Sequence, residues 1–220
     1  MAGDPGPAGP QGASGPQGAT GPKGDKGDTG SAGADGADGK DGSAGAKGDK
    51  GDTKLLYGDA VSKDSIAPEA YGSVDELVAA LGLIRYEKKL PQKTKDYILQ
   101  IQRELFVVGA ELATSKEKRS KLKPLETLVI DSMVENLEKE IDYLTEKNGI
   151  PDFFVVPGEN SISSKFDWCR VVSRRAERKC VAWKKLNKIE DTKVIVYLNR
   201  LSDLLWMLAR DYEKEWTASK

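Results

Sequence analysis

The chain has 220 residues, 34 Lys and Arg against 35 Asp and Glu, and a formal net charge of −1. That balance argues against nonspecific nucleic-acid binding, which needs a strongly basic patch or domain, and the absence of any histidine excludes His metal sites, His general bases and Ser-His-Asp triads. No apolar leader opens the sequence and no run of 18 apolar residues follows, so the expectation is a soluble, cytoplasmic protein with no membrane partner.

Every third residue from Gly3 to Gly51 is glycine, which gives seventeen Gly-X-Y triplets through Thr53. Only glycine fits the crowded axis of a collagen triple helix, so the period predicts one, or else a glycine-rich tail that orders weakly. The triplets contain no aromatic, Leu, Ile, Val, Met or Cys residue and cannot build an apolar core. With only five prolines, their stability must come partly from charge: Lys-Gly-Asp recurs at residues 23–25, 26–28, 47–49 and 50–52. A triple helix needs three chains held together, so the rest of the protein is expected to be a trimer or to be attached to one. Residues 1–47 are assigned to the repeat and 48–220 to a folded domain.

Residues 54–57 predict a short extended piece. A helix follows over 68–88, with Val74, Leu77, Val78, Leu81 and Ile84 on one face and Pro68 in the first turn. After Pro91, the residues Ile98, Ile101, Leu105, Val108 and Leu112 keep a 3-4-3-4 spacing and mark a second helix. Residues 115–123 form a basic, polar connection. A third helix after Pro124 carries Ile130, Val134, Leu137, Ile141 and Leu144 inward and stops at Asn148-Gly149. A brief apolar run at 153–156 closes with Pro157-Gly158. The fourth helix spans 161–184; the fifth spans 192–216, with Tyr197, Leu201, Leu204, Leu208 and Tyr212 as its stripe. These elements predict an all-α fold, a five-helix bundle with no convincing sheet.

The fourth helix carries the strongest functional signal. Arg170, Arg174 and Arg178 recur every four residues and line one face, while Phe166, Cys169, Val172, Ala176 and Cys180 form the apolar stripe. The two cysteines are separated by about 16 Å of helix rise and cannot bridge each other. Like charges four apart repel, so the arginines need either a carboxylate-rich surface or a polyanion such as a triphosphate. On the fifth helix Asn199, Arg200, Ser202 and Asp203 lie between apolar neighbours and require polar partners. Arg174 and Arg178 are candidates, and structural ion pairs compete with an anion site as the explanation. Residues 48–54, Gly-Asp-Lys-Gly-Asp-Thr-Lys, are either a loop that wraps phosphates with backbone N–H groups or simply the last triplets. Asp75 and Glu76 sit early in the first helix, where the dipole favours negative charge. Phe154 either covers a flat ligand or seals the end of the bundle.

Six segments in this order resemble the PduO-type ATP:cob(I)alamin adenosyltransferases. They are G-D-K-G-D-T-K-L with Gly58, V-S-K-D, A-Y-G-S-V-D-E-L, F-V-V-P-G, R-V-V-S-R-R-A-E-R and Y-L-N-R-L-S-D, spread over about 170 residues. The resemblance implies a homotrimer of five-helix bundles with active sites between subunits. It also implies ATP, Mg2+ and cobalamin as ligands, with transfer of the 5'-deoxyadenosyl group to cobalt and release of triphosphate. Carried onto matching positions, Gly48, Asp49, Lys50, Gly51, Thr53 and Lys63 resemble the N-terminal part of the ATP site. Arg174, Glu177, Arg178 and Asn199 resemble the triphosphate, magnesium and adenosine contacts, with Glu177 and Asn199 on the metal. Asp75 and Arg170 resemble an intersubunit ion pair, and Arg200 and Asp203 a pair that orders the wall of the site. Phe154 resembles the aromatic residue beneath the corrin ring that displaces its lower ligand. A corrinoid reductase or an acceptor enzyme is the implied partner.

Three positions depart from the family's usual pattern: Asp167 stands where a histidine is common, Glu159 where a second glycine follows the Pro-Gly turn, and Lys47 where a threonine is usual. Trp168 adds bulk beside the first of these. The competing expectation is a collagen-like structural or assembly protein whose bundle is a trimerisation module and binds ATP without efficient turnover. A glycine at a triple-helix axis cannot also wrap a phosphate, so the triple helix is expected to end before Gly48.

Overall fold

The computed structural model describes residues 51–220. The repeat up to residue 50, including Gly48, Asp49 and Lys50 of the expected phosphate loop, lies outside the described residues. Five α-helices follow one another: α1 (Ile66–Arg85), α2 (Gln92–Leu112), α3 (Asp131–Asn148), α4 (Ser161–Asn187) and α5 (Val194–Asp211). A 3-10 turn occupies Lys116–Lys121 within the basic connection between α2 and α3. The helix α4 packs against both α1 and α5, while α2 lies on α1 and α3 on α5.

The expectation of no sheet needs correction. Strands β1 (Asp52–Lys54) and β2 (Ala60–Ser62) form a two-stranded antiparallel ribbon in which Thr53 faces Val61. Neither strand shows an apolar alternation that would have announced it. The ribbon is made instead by its turn, where Gly58 has φ of 90°, a left-handed conformation available to glycine at no steric cost. Leu55 anchors it by burial, and Leu56 N–H donates to the Ala113 carbonyl at the end of α2, at 2.9 Å.

Helix limits also follow local chemistry. Pro68 sits inside the first turn of α1, where the missing N–H would have had no partner in any case. The left-handed Lys188, at φ 50°, caps α4. The helix α5 ends at Asp211 rather than near residue 216, because the chain turns back there. Val156 N–H donates to the Thr217 carbonyl at 2.8 Å, and Ser219 N–H to the Phe154 carbonyl at 2.9 Å.

The expected apolar stripe of α4 is wholly buried, as are Tyr197, Leu201, Leu204 and Leu208 of α5. Each fully buried side chain of this kind contributes about 1.5–3 kcal/mol, against about 0.2–0.5 kcal/mol of repulsion between like charges four apart. Core packing therefore holds α4 helical despite its arginine face. Burial also pushes the thiols of Cys169 and Cys180 up to about 12, and both cysteines are free.

One buried carboxylate joins three connections. Glu111, fully buried on α2, accepts hydrogen bonds from Arg119 Nη2 at 2.9 Å, Val129 N–H at 2.9 Å and Thr192 Oγ1 at 2.7 Å. It thereby fastens the 3-10 turn, the approach to α3 and the approach to α5. Removing one partner of a buried ion pair costs about 3–5 kcal/mol, because the other charge is left uncompensated. Arg119 also lies 3.5 Å from the Asp191 carboxylate, so Glu111→Ala should lower stability by up to about that amount in a denaturant titration; a change under about 1 kcal/mol would show that Asp191 compensates Arg119 instead.

Candidate active site

The helix α4 begins at a well-formed cap. Asn160 Oδ1 accepts from Ile162 N–H at 2.9 Å and Ser163 N–H at 3.0 Å, while Ser163 Oγ accepts from Asn160 N–H at 3.3 Å. This reciprocal arrangement satisfies donors that would otherwise be orphaned. Gly158, with φ of 121°, makes the tight entry. Glu159 makes no ion pair with the arginines of α4 among the described residues; its carboxylate accepts from Asn160 Nδ2 at 2.5 Å, beside the helix N-terminus, where negative charge is favoured.

From that cap the helix sorts its cations by direction. Arg175 pairs with Glu76 of α1, and Lys179 with Glu69, also of α1. Arg170 Nε donates to Asp167 Oδ1 at 3.0 Å. Arg174 and Arg178 are exposed, and within the described residues neither has a hydrogen-bond or ion-pair partner. Of the five cations between 170 and 179, two on adjacent turns of the same face are left uncompensated.

Next to that face lies a polar chain from α5. Asn199 Nδ2 donates to Glu177 Oε1 at 3.3 Å, Arg200 Nη2 donates to Asn199 Oδ1 at 2.7 Å, and Arg200 pairs with Asp203 at 3.1 Å. The polar segment of α5 is thus satisfied by Glu177 and by itself. The expectation that Arg174 and Arg178 would be its partners is not met, which leaves those two arginines for something else. Among the described residues no group of three or more Cys, Asp and Glu side chains is placed to hold a metal ion.

The other expected site residues are carried by different elements. Gly51, Thr53 and Lys63 come together in the ribbon, where Lys63 N–H donates to the Gly51 carbonyl at 2.8 Å. The ribbon is fastened to the 3-10 turn rather than to α4: Lys118 Nζ donates to the Tyr57 carbonyl at 2.8 Å and pairs with Asp59 at 2.6 Å. Hydrogen bonds from Lys118 and Ser115 hold the Asp59 carboxyl below its ordinary range. Asp75 is exposed on α1 beside a mostly apolar groove of about 340 Å³ between α1 and α2. Within one chain Arg170 is engaged by Asp167 and not by Asp75. Phe154 is 86% exposed; its loop is held by the backbone pairing with residues 217–219, so the aromatic ring is presented outward rather than used to seal the bundle.

Sequence reasoning missed a buried charge cluster between the N-terminal part of α4 and the C-terminal end of α5. Asp167 Oδ2 accepts from Arg210 Nη2 at 2.5 Å, and Arg210 is doubly bonded to Glu213 at 2.6 and 2.8 Å. Asp167 and Arg210 are 5% and 2% exposed. The three-residue spacings 167 to 170 and 210 to 213 are visible in the sequence, but the link between residues 167 and 210 exists only once α4 and α5 pack.

Comparison with known proteins agrees with this architecture. Residues 44–212 match the family described as cobalamin adenosyltransferase, and residues 1–54 match the collagen triple helix repeat. A corrinoid adenosyltransferase from Citrobacter freundii is 36% identical over 158 residues, covering 72% of this chain and 87% of the relative. One from Bacillus subtilis is 37% identical over 158 residues, covering 70% and 78%. A solved variant of the PduO-type ATP:corrinoid adenosyltransferase from Lactobacillus reuteri, complexed with cobalamin and ATP, superposes with a TM-score of 0.66 at 30% identity, over 74% of this chain and 87% of that one. A second variant of that enzyme, complexed with ATP, gives 0.65 at 29% identity over 75% and 90%. With the matched region spanning all five helices and carrying the arginine face of α4, the chain belongs to the cobalamin adenosyltransferase family, joined here to an N-terminal collagen-like repeat.

Proposed function

We propose that this protein transfers the 5'-deoxyadenosyl group of ATP to the cobalt of reduced cobalamin and releases triphosphate. The observation that carries the proposal is the pair Arg174 and Arg178, two guanidinium groups one turn apart with no carboxylate partner among the described residues. Cob(I)alamin is itself the nucleophile. The cobalt–C5' bond forms as the C5'–oxygen bond breaks, and the electron pair of that bond leaves on the triphosphate. No proton is transferred, so a chain without histidine lacks nothing the reaction needs. The protein's tasks are to place C5' over cobalt and to stabilise charge on the leaving group.

In this proposal the site forms between subunits of a homotrimer. The ribbon residues Gly51, Thr53 and Lys63, with Gly48, Asp49 and Lys50 preceding them, meet the arginine face of a neighbouring α4. Asp75 of one subunit then reaches Arg170 of another, and Arg200 with Asp203 stiffens the wall that holds Asn199. Mg2+ is held through one or two carboxylates together with substrate phosphates, and Glu177 is the carboxylate at hand. Asn199 turns its Nδ2 toward Glu177 and its Oδ1 toward Arg200, so its amide must rotate to offer the ion an oxygen. Phe154 lies against the lower corrin face and excludes a lower ligand, which eases reduction of cob(II)alamin. A cytoplasmic corrinoid reductase or acceptor enzyme is the natural partner for a site fed by ATP.

A second reading, in which the bundle serves the repeat as a trimerisation module, is favoured by the Gly-X-Y segment. The geometry of Gly51 bears on where that segment stops. Its φ is 81° and its carbonyl accepts from Lys63 N–H, whereas a collagen chain runs at φ near about −75°. The last glycine of the repeat belongs to the ribbon. Gly51 supports an end of any triple helix before residue 51, and we propose that it ends before Gly48, at the 47/48 domain boundary.

Three outcomes are expected. Arg174→Ala and Arg178→Ala should each lower kcat by about 10²–10³-fold, the usual effect of removing one oxyanion donor, with melting temperature nearly unchanged because neither side chain has a partner to lose; wild-type turnover in both would remove α4 from the triphosphate site. Phe154→Ala should leave ATP affinity intact and slow the reaction from cob(II)alamin at least about tenfold more than from cob(I)alamin; equal slowing would contradict its position under the corrin. Removal of residues 1–45 should preserve turnover, and an inactive truncation would mean that the repeat contributes to the site.

A further inference from the structure

The arginine face of α4 has a support that its sequence spacing does not reveal. Asp167 is 5% exposed, and each of its carboxylate oxygens is committed. Oδ1 accepts from Arg170 Nε at 3.0 Å, and Oδ2 from Arg210 Nη2 at 2.5 Å. Arg210, 2% exposed, is locked in turn by Glu213 through Nε at 2.6 Å and Nη2 at 2.8 Å, and its guanidinium lies over the Trp206 ring at 5.5 Å. The Asp167 carboxylate is therefore held on one side by a buried guanidinium that is itself bonded twice to Glu213, and on the other it grips Arg170.

The grip falls on Nε alone. Within the described residues the two terminal nitrogens of Arg170 make no hydrogen bond, and its side chain is 26% exposed. An arginine held at Nε keeps a fixed guanidinium plane and presents its outer edge as a two-donor fork. Arg170 is one turn from Arg174 on the same face, and its open fork is the part of it that the proposed function offers to Asp75 of a neighbouring subunit, at the edge of the row that carries the uncompensated charges. The charges of Asp167, Glu213, Arg170 and Arg210 also sum to zero, so the buried acid adds no net negative field to an anion site. A lone buried carboxylate there would oppose a triphosphate; this one is compensated.

We infer that Asp167 is a positioning residue for adenosyl transfer: braced by Arg210 and Glu213, it fixes the Arg170 guanidinium at Nε and leaves its terminal nitrogens aimed at the intersubunit site. The inference rests on the adenosyltransferase reading, because the site that Arg170 serves is the one proposed there. Asp167 itself touches no reacting atom.

A double-mutant cycle on the full chain tests it, with wild type, Asp167→Asn, Arg170→Ala and the double variant compared for kcat/KM with ATP and reduced cobalamin. The Arg170 Nε–H resonance is followed by NMR in parallel. Asp167→Asn should lower kcat/KM at least about tenfold and abolish the protected Nε–H signal, yet cost less than about twofold when Arg170 is already alanine, since residues acting as one unit are not additive. Equal losses in both backgrounds would mean that Asp167 only supports the fold, and would overturn the inference. Should Asp167→Asn fail to fold, Arg170→Lys decides. It keeps the charge but has no fork, so a loss close to that of Arg170→Ala supports positioning and wild-type turnover refutes it. An active wild type without a protected Nε–H signal overturns the inference alone. An inactive wild type that shows the signal overturns the reaction assignment, and the positioning role with it.

Discussion

The organisation of this bundle depends on one helix meeting two opposed demands. One side of α4 is buried against α1 and α5, where Phe166, Cys169, Val172, Ala176 and Cys180 have no access to water. The other side carries guanidinium groups at four-residue spacing, and two of them have no counter-charge among the described residues. Burial outweighs the repulsion several-fold. The helix therefore persists, and its like charges stand as a positive electrostatic potential. Such a potential is a binding resource for a polyanion, and it is strongest where low-dielectric walls surround it.

Neighbouring elements divide the remaining charges so that this potential is not dissipated. Glu76 and Glu69 of α1 take the cations on the flank, Arg175 and Lys179. Glu177 is occupied by Asn199, and Asp203 by Arg200. Asp167 is neutralised from within the core by Arg210. Each of these acids already has a partner other than Arg174 or Arg178, and every such pairing lies within one helix or between two that pack together. The absence of histidine fits this arrangement, because the proposed transfer needs positive charge and placement but moves no proton.

The repeat and the bundle place compatible demands on assembly. A triple helix requires three chains in register, and a trimeric bundle would raise the effective concentration of three repeats far above that of free chains. The junction is abrupt, since glycine periodicity runs into the ribbon without a linker. Gly51 shows how the overlap is resolved: a residue that keeps the glycine period adopts φ of 81° and binds the backbone of Lys63. The same residue type meets the sequence requirement of one element and the backbone requirement of the other.

Much of this was legible in the chain of residues alone. Periodicity gave five helices and the buried stripe of α4, because burial against any neighbour imposes the same 3.6-residue spacing. The arginine row and the six family segments were equally visible, as was the proline in the first turn of α1. The ribbon was not, since its strands carry no alternation and its turn depends on a single glycine. Nor could the sequence say which arginines are consumed. Arg174 and Arg175 are adjacent letters of the same kind, yet a turn of about 100° around the helix sends one toward α1 and leaves the other in solvent. The clamp on Asp167 likewise joins residues 43 positions apart. Charge compensation acts over a few ångströms in space regardless of separation along the chain, so the sequence determined that α4 would carry a cationic face, and only the packing of five helices decided which part of it remained open.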